Sequence, residues 1–235
     1  MKLKVCGMKF TENIQQVAAL QPDYLGFIFY EKSKRNFEGI IPEFSNSIKK
    51  TGVFVNEYIE IVISLVEEYR LEAIQLHGDE SVDYIKELKC QFERSRELKI
   101  EENKTIKKQK NKHYISKNEV EIIKVFGIKD EFDFDVLKPY LEVVDFFLFD
   151  TKGKERGGNG TKFDWSVLEK YPFDIPFFLS GGIGLEDVEE VQKILKSNLP
   201  IYALDVNSKF ESKPGVKEIE ELEKFKSNVI TNAVK

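Results

Sequence analysis

Eight short apolar runs recur along the chain with helix-period segments among them, and this alternation restricts the fold more than any other feature. The runs cover residues 3–6, 24–29, 52–55, 73–76, 122–126, 146–149, 177–179 and 202–206. Among the intervening segments, residues 57–69 carry Ile59, Val62, Val66 and Tyr69 on one helical face, and residues 185–195 carry Val188, Val191, Ile194 and Leu195. In the second of these the acids Glu186, Asp187, Glu189 and Glu190 come early and the lysines late, as a helix dipole prefers. A last helix is expected over about 216–229, with Ile219, Leu222, Phe225 and Val229 as its stripe. Strand–helix alternation implies parallel strands joined by helical crossovers. Eight repeats in 235 residues point to an α/β protein with a single (β/α)8 barrel (TIM barrel) domain over 1–235. An open doubly wound sheet is the alternative. It would more naturally place Gly-x-Gly-x-x-Gly after the first strand, and Cys6-Gly7-Met8-Lys9 is not that motif.

Composition narrows the function. The apolar share of 41% is too high for a disordered chain, and no run of 18 apolar residues exists to span a bilayer. The net charge of −5 argues against a general nucleic-acid binder, because phosphate contacts need cationic surface. Two cysteines, Cys6 and Cys90, make no disulfide framework, and with only His77 and His113 beside them they are too few for a zinc site. The start MKLKVCGMKF lacks the apolar stretch of a signal peptide. The expected setting is a reducing cytoplasm, where Cys6 persists as a thiol. One stretch breaks the rhythm: residues 94–117 hold nine basic and three acidic residues, between the fourth helix and the fifth strand. It reads either as a solvated surface insertion or as a patch for an anionic partner.

In a barrel, reactive residues belong at the C-terminal strand ends. Taken in order, those ends supply Cys6, then Arg35 beyond the second run, Asn56, His77, Gly127, Asp150, Ser180-Gly181-Gly182, and Asp205-Val206-Asn207-Ser208. Gly181 and Gly182 precede an acid-started helix, a place where backbone N–H groups approach an anion closely; the bland reading is a tight turn. Asn207 and Ser208 add donors after the eighth strand. Cys6 is either an inert buried residue or a reactive thiolate, and the latter needs cations such as Lys4, Lys9 or Arg35 nearby. Asp150 closes the run Phe146-Phe147-Leu148-Phe149, where desolvation would raise its pKa and keep a proton available; otherwise it caps a loop. His77 reads as a positioning residue and Cys90 as structural.

Taken together, several stretches resemble the phosphoribosylanthranilate isomerase family of the tryptophan pathway. They are Lys4-Val5-Cys6-Gly7-Met8, Asp23-Tyr24-Leu25-Gly26-Phe27-Ile28-Phe29 with Ser33-Lys34-Arg35, Gly52-Val53-Phe54-Val55-Asn56 and Gln75-Leu76-His77-Gly78-Asp79-Glu80. The series continues with Phe149-Asp150-Thr151-Lys152, the segment Gly157-Gly158-Asn159-Gly160-Thr161-Lys162-Phe163-Asp164-Trp165, Leu179-Ser180-Gly181-Gly182 and Leu204-Asp205-Val206-Asn207-Ser208. The joint order and spacing is specific, and only 94–117 falls outside it. The resemblance implies an Amadori rearrangement of N-(5-phosphoribosyl)anthranilate to 1-(2-carboxyphenylamino)-1-deoxyribulose 5-phosphate. It makes Asp150 the general acid at the ring oxygen and Cys6 the general base at C2, with Arg35 on the anthranilate carboxylate. Gly181, Gly182, Asn207 and Ser208 would hold the phosphate, and Gly157–Gly160 resembles the family's mobile loop. No metal or organic cofactor is implied, since the substrate nitrogen is the electron sink. The partner is a small phosphorylated substrate, not nucleic acid or membrane, and the chain would be a monomer or homodimer. Where the family commonly has Ser-Ser-Gly-Val-Glu, this chain has Asn207-Ser208-Lys209-Phe210-Glu211, which leaves the individual phosphate donors open. Another phosphosugar barrel enzyme, or a phosphate-ligand binding module without turnover, are the competing readings. A pentose-phosphate epimerase would want more histidines, and an indoleglycerol-phosphate synthase a lysine–glutamate pair.

Overall fold

The computed structural model describes residues 1–105, 120–129, 131–151 and 163–231. Eight parallel strands close into a barrel in chain order: β1 (Lys2–Val5), β2 (Tyr24–Phe29), β3 (Lys49–Phe54), β4 (Ala73–Leu76), β5 (Glu121–Ile128), β6 (Phe146–Thr151), β7 (Phe177–Leu179) and β8 (Ile201–Val206). β1 closes the ring by pairing with β2 on one side and β8 on the other, with Lys4 in register with Asp205. All eight expected strands are present, shifted at their ends by a few residues.

The two-residue period of a strand sends alternate side chains to opposite faces. Leu3, Val5, Ile74, Leu76, Phe147, Phe149, Leu204 and Val206 join the core between barrel and helices. Tyr24, Ala73, Ile123, Val125, Phe146, Leu148, Phe178 and Ala203 form a second apolar cluster. Continuing the parity of this second set upward along the strands reaches Lys4 and Cys6, Gln75 and His77, Asp150, Ser180, Asp205 and Asn207. The barrel interior is therefore apolar through its middle and polar near the C-terminal ends.

The helical layer is less regular than eight repeats imply. α1 (Thr11–Ala19), α2 (Ile59–Tyr69), α3 (Val82–Thr105), α4 (Val188–Ile194) and α5 (Ile219–Lys226) are the α-helices among the described residues. Residues 30–48 connect β2 to β3 through turns, because Gly39 and Pro42 interrupt a segment with no apolar stripe. After β5 and β6 the described parts of the connections hold short 3-10 turns, Phe134–Tyr140 and Trp165–Lys170, the first containing Pro139. The expected fourth helix is thus the third. It also runs longer than expected, so the basic stretch begins inside α3, and its residues 106–117 lie outside the described residues. The last helix starts three residues later than the periodicity indicates and continues beyond Lys226 as a π-turn over Ser227–Thr231. Val216 and Lys217 are drawn into a hairpin, β10 (Val216–Lys217) against β9 (Glu211–Lys213), before α5 begins. No helix among the described residues is long and apolar enough to cross a membrane.

Aromatic packing around β6 holds the outer core. Phe149 is fully buried, with the rings of Phe132, Phe134, Phe147, Tyr171 and Phe177 at centroid distances of 5.0–6.2 Å. Truncation to alanine removes the ring and leaves a cavity that such a shell fills poorly. Phe149→Ala is expected to cost about 3–5 kcal/mol of unfolding free energy, measured by urea denaturation. A loss below about 1 kcal/mol would mean that this cluster is not the packing centre described.

Candidate active site

The strand ends open into one cavity of about 790 Å³, counting its mouth, and all seven residues singled out for chemistry or binding line it: Cys6, Arg35, Asp150, Gly181, Gly182, Asn207 and Ser208. Each arrives by its own element. Cys6 follows β1, and its N–H donates to the Val206 carbonyl at 2.9 Å. The thiol has space because residue 26 is glycine: a Cβ there would sit 2.9 Å from Cys6 Sγ. Asp150 lies in the last turn of β6, where the Thr151 N–H donates to its Oδ1 at 2.9 Å. Gly181 and Gly182 adopt φ of +96° and +69°, values L side chains rarely take, and a Cβ on Gly181 would collide with Thr151.

A polar chain runs along the cavity floor. Lys4 Nζ donates to Asp205 Oδ1 and to Gln75 Oε1, both at 2.7 Å. Ser180 Oγ donates to Asp205 Oδ2 at 3.3 Å. Gln75 Nε2 lies 3.0 Å from His77 Nδ1, and His77 Nε2 lies 3.7 Å from Asp150 Oδ2. The loop after β4 is pinned by the buried Glu80. Its carboxylate accepts from the N–H groups of Asn56 and Gly78 and from Lys124 Nζ.

This environment sets the titrations. Burial, reinforced by the Asp205 charge, pushes Asp150 up from 3.8 to about 7. Burial also pushes the Cys6 thiol up, against the opposing pull of Lys4 and Lys217. The sequence leaves this thiol open between an inert buried residue and a thiolate held low by cations. Lys4 does face it, but Lys9 reaches the Lys34 carbonyl instead, and Arg35 is engaged by a carboxylate.

That carboxylate is Glu211, the start of the hairpin. Arg35 donates through Nε (2.9 and 3.0 Å) and Nη2 (2.7 Å) to Glu211, which also accepts from Lys217 Nζ at 2.7 Å. Lys217 donates at the same distance to Asn207 Oδ1. Because an ammonium only donates, the Asn207 amide must turn its oxygen to Lys217, which leaves Nδ2 as the donor. Burial would raise Glu211, but Arg35 and Lys217 outweigh it and hold the carboxyl low. Lys217 is lowered to about 8, chiefly by burial. Lys217, Glu211, Gln75 and Asp205 were not among the candidate site residues. Lys217 gives no local signal, since only the hairpin folds it back beneath Asn207. Lys209 lines the cavity and donates to Glu186 Oε1 at 2.6 Å. The Gly157–Gly160 loop lies outside the described residues. Cys90 sits half-buried on α3.

A closed (β/α)8 barrel with a thiol, a raised carboxyl, an arginine and two donor-bearing loops around one cavity defines a small-molecule site of the phosphate-binding barrel type. The family model described as N-(5'phosphoribosyl)anthranilate (PRA) isomerase matches residues 3–117 and 107–228, and the chain belongs to that family. An N-(5'-phosphoribosyl)anthranilate isomerase from Parabacteroides distasonis is 37% identical over 168 residues, 69% of this chain and 64% of that protein. The chain thus spans just under two thirds of the length of that curated relative. Among solved structures, the phosphoribosyl anthranilate isomerase of Thermus thermophilus superposes with a TM-score of 0.74 at 25% identity, covering 99% of this chain and all of that one. A further isomerase structure, solved in complex with reduced 1-(o-carboxyphenylamino)-1-deoxyribulose 5-phosphate, gives 0.69 at 27% identity and covers 97% and 98% of the two chains.

Asp150 binds its proton more tightly folded than unfolded. Its burial therefore leaves stability intact below about pH 4, erodes it as pH rises toward 7, and costs most above 7. Asp150→Asn is expected to raise the melting temperature at pH 8 by roughly 2–4 °C per kcal/mol recovered, and by less at pH 5. Equal shifts at both pH values, followed by scanning calorimetry, would contradict the raised carboxyl.

Proposed function

We propose that this chain catalyses the Amadori rearrangement of N-(5-phosphoribosyl)anthranilate to 1-(2-carboxyphenylamino)-1-deoxyribulose 5-phosphate, a step of tryptophan biosynthesis. The observation that carries the reading is the convergence of Cys6 and Asp150 on one cavity with Arg35 and the two loops after β7 and β8. Family membership supplies the substrate.

Asp150 is the general acid. A carboxyl at about 7 holds its proton near neutral pH and delivers it to the furanose ring oxygen as the C1–O bond breaks, which yields an iminium ion. Cys6 is the general base, taking the C2 proton to give the enolamine, which becomes the ketone. The productive state keeps the proton on Asp150 and a thiolate on Cys6. Its alternative, thiol with carboxylate, differs by one proton moved within the pair. Lys4 and Lys217 favour the thiolate, and the positive iminium adds to their effect. The substrate nitrogen accepts the electron pair, so the reaction calls on no metal or organic cofactor.

Arg35 receives the anthranilate carboxylate. Glu211 occupies its Nε–Nη2 edge, and the guanidinium retains three further N–H donors for a second carboxylate. The N–H groups of Gly181 and Gly182, with Asn207 Nδ2 and Ser208, hold the phosphate.

The test is turnover of freshly made substrate, followed by loss of its fluorescence without added metal. Cys6→Ala and Asp150→Asn are each expected to lower kcat by ~10²-fold or more with the fold intact. Arg35→Ala is expected mainly to raise KM. Wild-type turnover in either of the first two variants would defeat the acid–base assignment. Tight binding of the reduced product analogue by a wild-type chain that does not turn over substrate would identify a binding module instead.

A further inference from the structure

Gln75 lines the cavity floor, almost fully buried, and is not among the residues assigned to substrate. Its amide nevertheless links two ionisable groups. On one side is Lys4 Nζ, 2.7 Å from Oε1. The Lys4 ammonium, itself 2.7 Å from Asp205, has hydrogens to give and no lone pair to offer, so it accepts only the oxygen end of the amide. The amide orientation is thereby settled by its chemistry, and Nε2 must face His77. There Nε2 donates across 3.0 Å to Nδ1, so Nδ1 has to be an unprotonated acceptor. A neutral imidazole with a bare Nδ1 carries its hydrogen on Nε2, the nitrogen 3.7 Å from Asp150 Oδ2.

We propose that Gln75 is a positioning residue: clamped by Lys4, it fixes His77 as the neutral Nε2–H tautomer and points that hydrogen toward Asp150. This deepens the proposed function and rests on Asp150 being the acid. An imidazolium beside Asp150 would stabilise the carboxylate and strip the acid of its proton. Protonating Nδ1 would set two N–H groups against each other across the Gln75 contact, so the amide opposes that state. Among the described residues, the groups facing Asp150 from the surrounding strands are Asp205 on β8, Lys4 on β1, Ser180 after β7 and His77 after β4. Lys124 on β5 is turned to Glu80 at 3.1 Å and to the Gly78 carbonyl at 2.8 Å. Lys4 already answers Asp205. A neutral His77 therefore adds no second positive charge beside the raised Asp150 carboxyl, and its Nε2–H points toward Asp150.

The chain has two histidines, so ¹⁵N spectra of ¹⁵N-histidine-labelled protein are simple, and His77→Asn assigns the signals. The wild-type resting enzyme at pH 7 is expected to show His77 as a single neutral Nε2–H form. Gln75→Glu keeps a partner for Lys4 but offers Nδ1 an acceptor. It is expected to protonate Nδ1 while Nε2–H remains, and the resulting imidazolium is expected to shift the alkaline limb of kcat/KM at least one pH unit lower. Gln75→Met, close in volume and without either hydrogen-bonding role, is expected to leave the tautomers mixed.

A doubly protonated or Nδ1–H His77 in the wild type would overturn the proposal, whatever Asp150 does. An unmoved pH limb in Gln75→Glu, with His77 protonated at both nitrogens, would overturn the link to the acid. If Gln75→Glu does not fold, the wild-type spectrum and Gln75→Met decide. Full activity of Asp150→Asn with the tautomer as stated would instead fault the acid assignment and leave the His77 geometry standing.

Discussion

Lys4 and Asp205 face each other at 2.7 Å inside the barrel, with side-chain exposures of 0% and 6%, on the two strands whose pairing closes the ring. Moving either charge out of water costs several kcal/mol, and each is tolerable there only because of the other and of Gln75 and Ser180. Loss of one partner would leave a buried charge unanswered at the barrel seam. The pair also supplies the field in which the chemistry occurs. Asp205 pushes both Cys6 and Asp150 up, and Lys4 pulls both down. The base and the acid therefore share one electrostatic support.

A second buried cation serves the rim. Lys217 reaches Glu211 and Asn207 from the hairpin, and its backbone is held by Asn13 of α1, whose Oδ1 accepts from the Lys217 N–H at 2.7 Å. Glu211 in turn holds Arg35. One lysine thus orders a residue assigned to the carboxylate end of the substrate and one assigned to the phosphate end. Such groups lose little conformational freedom on binding, because the protein has already placed them. The division of the interior serves the same end. The apolar lower cluster gives rigidity, while the polar upper positions stay accessible to ligand.

Much of this was legible in the chain. Eight apolar runs separated by helical periods suffice for the barrel class, because strand and helix periods are local properties of sequence. The strand-end rule then brings Cys6, Asp150, Gly181, Gly182, Asn207 and Ser208 to one rim, since parallel strands share a direction. Local chemistry also marks Gly181 and Gly182, whose positive φ only glycine adopts easily. Less legible were the connections: Pro139 and the turn-rich residues 30–48 replace helices that a regular repeat would supply.

The titration states and the partners of each side chain were decided only by the tertiary structure. Sequence placed cations near Cys6 in number but not in space, and the sign of its shift depends on burial against distance. Arg35 and Glu211 are 176 residues apart, and Lys4 and Asp205 are 201 apart. No local pattern encodes such pairings, because they exist only once the barrel has closed. The chain by itself determined which residues arrive at the rim; closure determined what each one meets there, since charge interactions depend on separation through space and on exclusion of water.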